Sequence, residues 1–99
     1  MFIHSVYFWL KPGISTADEQ TFLRGVESLT KIRTVRHGWC GKPAATDRPV
    51  IERTYSYGLV VSFDDEAGHD AYQVDPVHDA FRKLHELWTQ VRIYDVLTP

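Results

Sequence analysis

Three side chains of this sequence are suited to acid/base work on a carbonyl compound: His78, His4 and Tyr72. His78 follows Asp75-Pro76-Val77, where Asp75 is a good N-cap and Pro76 suits the first helical position. The histidine therefore falls in a first helical turn, beside unpaired backbone N–H groups and the positive end of the helix dipole. That field disfavours imidazolium, so His78 is expected to be neutral at pH 7, donating from one ring nitrogen and accepting at the other. Such a group fits general acid/base catalysis. His4 sits in a strand-like segment on the same face as Phe2, Val6 and Phe8. A buried histidine needs a partner, and His78, Tyr72, a ligand or water could each supply it. Tyr72 could hold a substrate oxygen through its hydroxyl. Each position also has a purely structural reading: His78 as a ring that tightens a helix join, His4 as a satisfied core histidine, Tyr72 as a core aromatic with a wet tip.

Tyr55, Tyr57 and Phe81 are candidates to line a pocket around these three, although both tyrosines also suit cross-strand packing. Asp95 stands out in an apolar last strand, where it could orient a histidine or pair with a cation. His69 and His85 fall among Asp70, Lys83 and Glu86 and are expected to be exposed. His4 and His78, with Asp75 or Asp79, could in principle ligate a metal, but no compact ligand motif joins them. No metal and no cofactor is expected. The chain has no Gly-rich phosphate loop and no nucleophile elbow.

The elements that must position these residues follow from period and punctuation. Phe2 to Lys11 reads as a strand rich in aromatic and β-branched residues, ended by Pro12-Gly13. Ser15 or Thr16 opens a helix, Thr16-x-x-Glu19 has the capping-box form, and Phe22, Leu23, Val26 and Leu29 make its apolar stripe. Gly25 weakens this helix slightly. Val35 to Gly41 reads as a second strand, Lys42 to Arg48 as a loop, and Arg53 to Phe63 as a third strand. That third strand carries Tyr55, Tyr57, Leu59, Val61 and Phe63 on one face, with Gly58 marking a bulge or close approach on the other. A short helix runs from Asp64-Asp65-Glu66 to about Val74, and Pro76 restarts it in a new direction, with Val77, Phe81, Leu84 and Trp88 as its stripe. Val91 to Leu97 is the last strand. The order β-α-β-β-α-β is the ferredoxin-like α+β plan, a four-stranded antiparallel sheet with helices on one face.

The 99 residues make one domain, 1–99. A net charge of −2 argues against nucleic acid as a partner, because phosphate recognition needs a basic stripe. Cys40 is the sole cysteine and cannot form an internal disulfide, which fits a reducing cytoplasm. No secretion signal is visible, and no apolar run approaches the ~20 residues needed to span a membrane. Helices cover one sheet face only, yet Ile3, Tyr7 and Trp9 lie opposite His4. A second copy packed sheet to sheet would cover them, so a homodimer is expected.

Taken in order, several segments resemble the stress-responsive dimeric α/β-barrel (Dabb) family over nearly the whole chain. They are Ile3-His4-Ser5-Val6, Gly41 ending the second strand, Val61-Ser62-Phe63-Asp64-Asp65, Tyr72 with Asp75-Pro76-Val77-His78 and Phe81, and Asp95 in the final strand. The resemblance implies two ferredoxin-like protomers whose sheets form a barrel. Some plant members are polyketide cyclases, whose site uses a first-strand histidine, a tyrosine before the Pro-containing helix start and a histidine in its first turn. His4, Tyr72 and His78 match those positions. On the third strand, where the cyclases place another histidine, this chain has Tyr57. The expectation is a homodimer with a pocket between sheet and helices for a small apolar or aromatic carbonyl compound. A cyclase-like or lyase-like enzyme using His78 is the first alternative. A cofactor-independent monooxygenase, by analogy of fold alone, is the second.

Overall fold

Strand β1 (Phe2–Leu10) ends where Gly13 adopts a left-handed φ of 72°, a turn conformation open to a residue without Cβ. The computed structural model describes all residues, 1–99. Helix α1 (Thr16–Leu29) is capped by Ser15, whose Oγ accepts the Asp18 N–H at 3.1 Å. The cap is therefore one residue earlier than the Thr16-x-x-Glu19 box would place it. Phe22, Val26 and Leu29 of α1 are buried.

Strand β2 (His37–Gly41) is shorter than the segment from Val35, because the Val35 N–H turns back onto the Ile32 carbonyl at 2.9 Å. Strand β3 (Tyr57–Phe63) begins later than Arg53. At Ser56 the backbone N–H still bonds the Phe8 carbonyl at 2.7 Å, but its hydroxyl accepts the Leu10 N–H at 2.9 Å in place of a ladder carbonyl. The strict alternation ends there.

Helix α2 (Glu66–Gln73) starts on Asp65, and α3 (Pro76–Arg82) starts on Asp75 with Pro76 in its first turn. Helix α3 stops at Arg82, a 3-10 turn covers His85–Leu87, and β4 (Trp88–Leu97) begins before Val91. The stripe Val77-Phe81-Leu84-Trp88 is thus shared among a helix, a turn and a strand, and Val77 is exposed.

The sheet order is β2-β3-β1-β4, and every pairing is antiparallel. With three helices packed against the sheet, this is the ferredoxin-like α+β fold. The core lies between helices and sheet, built from Val6, Phe8, Leu59, Val61 and Phe63 against Phe22, Val26, Tyr72 and Phe81. On the open face, Tyr94 and Val96 of β4 lie opposite Ser5 and Ile3 of β1, and β2 presents Trp39 with 62% of its surface exposed.

Two glycines have packing roles. A Cβ on Gly58 would approach the Tyr7 ring to 3.1 Å, in accord with the close approach expected there. A Cβ on Gly38 would meet Thr30 Cβ at 2.8 Å and Val61 Cγ1 at 3.2 Å, where β2 passes the end of α1. Gly41, at the end of the same strand, has open space around it. Gly38→Ala should therefore destabilise by about 1–3 kcal/mol through overpacking, while Gly41→Ala stays within ~0.5 kcal/mol of the parent. Urea denaturation of the two variants checks this, and equal midpoints would remove the steric argument.

Candidate active site

Register places the first member of the site. In the β1–β4 pairing His4 lies opposite Asp95, so both side chains leave the same face of the sheet. His4 is 2% exposed, and its Nδ1 lies 2.5 Å from Asp95 Oδ1. Asp95 is the partner that a buried His4 requires, and its own side chain stays 40% exposed. Burial pulls the His4 pKa below the ordinary histidine value, and the Asp95 hydrogen bond and charge offset this only in part. The group is a neutral imidazole donating to a carboxylate.

Tyr72, on the inner face of α2, is fully buried, and its ring lies 5.8 Å from His4. Burial pushes its phenol pKa upward, so it carries a proton at any physiological pH. The His78 ring stands edge-on to Tyr72 at 4.8 Å. Its Nδ1 is buried and has no hydrogen-bond partner. Burial is the main cause of its lowered pKa, and the nearby Arg82 charge acts in the same direction. Asp75 and Asp79 do not join the histidines: Asp75 caps Val77 at 2.8 Å and Asp79 holds Arg82 at 2.7 Å.

His4, Tyr72, His78 and Phe81 share the wall of a cavity of about 220 Å³ between the sheet and α2–α3, which Trp88 and Ile93 of β4 also line. Nine of its thirteen lining residues are hydrophobic, so a guest there meets mostly apolar surface and few polar groups. Tyr57 does not line this cavity. It is buried in the core with its ring 5.8 Å from Phe22, toward the far end of the sheet. Tyr55 is on the opposite face altogether, packed edge-on against Tyr7 at 4.8 Å. It precedes the start of β3, so the strand alternation that would place it beside Tyr57 does not reach it. There it borders a second, larger hollow of about 310 Å³ with Trp9, Arg92 and Tyr94.

His85 is exposed as expected, but His69 is not. Its side chain keeps only 12% exposure, stacked on Phe2 at 4.4 Å and 4.9 Å from the His4 ring. His69 precedes Tyr72 by three residues on α2, so the two share a helix face. That spacing was the available signal, masked by the charged neighbours of His69.

A family model for the stress responsive A/B barrel domain (Dabb) matches residues 2–97. The chain belongs to this family. Among solved structures it is similar to a Dabb protein with a ferredoxin-like fold from Mesorhizobium loti. They share 26% identity with a TM-score of 0.79, covering 99% of this chain and 96% of that one. A dimeric ferredoxin-like protein of unknown function from Thermobifida fusca matches at 17% identity and a TM-score of 0.78, covering 98% of this chain and 90% of that one. A hydroxynitrile lyase from Passiflora edulis matches at 13% identity and a TM-score of 0.79, covering 99% of this chain and 93% of that one. At these last two identities the likeness is one of fold. None of the curated proteins matches the chain significantly.

The lowered pKa values of His4 and His78 have a consequence for stability in this Dabb domain. In the unfolded chain both titrate near the ordinary value of about 6.5. Below that pH the unfolded state takes up protons that the folded state resists, so stability should fall as pH falls from 7.5 to 5.5. Urea unfolding of the parent and of His78→Gln at the two pH values checks this. The variant should lose less stability over the same interval, and parallel losses would mean that His78 accepts its proton freely in the fold.

Proposed function

We propose that this Dabb protein holds a small apolar or aromatic carbonyl compound in the cavity between its sheet and helices, with His78 as acid/base. The observation that carries this reading is the buried, unpartnered Nδ1 of His78, set in an apolar wall beside Tyr72. A buried polar atom without a partner costs roughly 1–3 kcal/mol, and a guest with one polar oxygen would relieve it. A neutral imidazole can take a proton from carbon or oxygen next to a carbonyl and return it. The Tyr72 phenol is a proton donor suited to the carbonyl oxygen, and Asp95 holds the His4 ring in one orientation.

Lyase-like or cyclase-like turnover is the catalytic form of the same reading. It is supported by the matching positions of His4, Tyr72 and His78 and by a fold shared with a hydroxynitrile lyase. Tyr57 stands away from the cavity, which favours a binding pattern different from that of cyclases with a third-strand histidine. The chain would work as a homodimer joined through the open sheet face. The dimeric fold neighbours support that arrangement, as do the exposed Trp39, Tyr94 and Val96.

Titration of the protein with aromatic aldehydes and ketones, followed by ring-proton NMR of the histidines, tests the pocket. Signals of His78 and His4 should shift together, and Tyr72→Phe should weaken binding about tenfold, as loss of one buried hydrogen bond does. His78→Ala should abolish any turnover of a bound compound while leaving the fold intact. Unmoved histidine signals across the series would end the carbonyl reading. Tyr94→Glu places a charge on the open face and should convert a dimer to a monomer in sedimentation. An unchanged sedimentation coefficient would move the interface elsewhere.

A further inference from the structure

We infer that His4, His69 and Asp95 form a binding site for one divalent transition-metal cation, with zinc the best match. The three come from β1, α2 and β4, far apart in sequence and brought together only by the fold. One ligating atom from each lies within 4.8 Å of the other two. Two imidazoles and one carboxylate are a donor set that zinc and its transition-metal neighbours favour over magnesium or calcium.

The surroundings point the same way. His69 is held by Phe2, stacked on its ring at 4.4 Å, and by Gln73 Nε2, 3.2 Å from its Nε2. Its Nδ1 is buried with no hydrogen-bond partner, and the nearest carboxylate oxygen, Asp70 Oδ1, is 3.4 Å away. The His4 ring is 4.9 Å from the His69 ring, and a buried imidazole nitrogen without a partner is unfavourable in the protein alone. A cation that accepts a lone pair from each of the three removes that cost.

Size also fits. Zinc–nitrogen and zinc–oxygen bonds of about 2.0–2.2 Å in a tetrahedron put adjacent ligand atoms roughly 3.3 Å apart. His4 Nδ1 and Asp95 Oδ1, now 2.5 Å apart around a shared proton, need to separate by less than ~1 Å. The cation takes that place, and the imidazole proton moves from Nδ1 to Nε2, so that a neutral His4 offers its Nδ1 lone pair. Asp95 is half-exposed, so solvent reaches the carboxylate side and can supply the fourth position. His78 takes no part, and Asp75 and Asp79 are occupied as a helix cap and an Arg82 partner.

The metal-stripped protein titrated with Co2+, followed by visible absorption, tests this directly, with Zn2+ competition to rank affinity. One equivalent per chain should produce d–d bands of low coordination number, and Zn2+ should erase them. His69→Gln and Asp95→Asn should each weaken binding at least tenfold, with far-UV circular dichroism confirming the fold. His4 belongs to both sites, but His78 belongs to the carbonyl pocket alone, so His78→Ala should bind Co2+ as the parent does and tells the two readings apart. Absence of bands in the folded parent, or equal Co2+ affinity in His69→Gln, would overturn the proposal.

Discussion

The antiparallel pairing of β1 with β4 is the constraint on which the site depends. It sets His4 against Asp95, buries the histidine and leaves the carboxylate half-exposed. A slip of one residue would turn His4 toward the open face and bring Tyr7 and Trp9 into the core. Such a slip is opposed by the other neighbour of β1. The register with β3 pairs His4 with Val61 and Val6 with Leu59, both fully buried. The central strand is thus held from two sides, and the orientation of His4 is a by-product of hydrophobic packing rather than of any local polar preference.

Around that strand the protein collects three imidazoles about Tyr72, their ring centroids 4.8–6.4 Å from its own. Desolvation dominates the electrostatics of His4 and His78. It outweighs even the Asp95 carboxylate at His4, so His4 stays neutral beside an anion. Neutral imidazoles retain a lone pair, and a lone pair serves equally to accept a proton or to bind a cation. The two buried ring nitrogens without partners, on His69 and His78, lie in the two halves of this cluster. His78 faces an apolar cavity and His69 faces the His4–Asp95 pair. Free energy of folding comes instead from the aromatic layer beneath, where Phe8 contacts Phe22, Phe81 and Trp88 edge-on at 5.1–5.7 Å.

The single cysteine has a quieter role. Cys40 is half-buried against the core edge, and burial pushes its thiol pKa up, away from the thiolate range that reactivity needs.

Much of this was present in the chain before folding. Alternation, helix caps and turn residues determine the β-α-β-β-α-β order, because each is a local property of a few neighbouring residues. The Asp75-Pro76 start determines where His78 sits on its helix for the same reason. Strand ends were less legible: β2, β3 and β4 each shift by two to four residues from the pattern, since Ser56 and the Ile32–Val35 turn compete locally with the ladder. Tyr55 went to the wrong face through that competition, and Tyr57 was placed on the right face but at the wrong end of the sheet. His69 was hidden because its charged neighbours in sequence point to solvent while it points inward. Its place beside His4 and Asp95 joins residues up to 91 positions apart. Only tertiary structure decides such contacts, because they depend on register and helix docking, which integrate packing over the whole core.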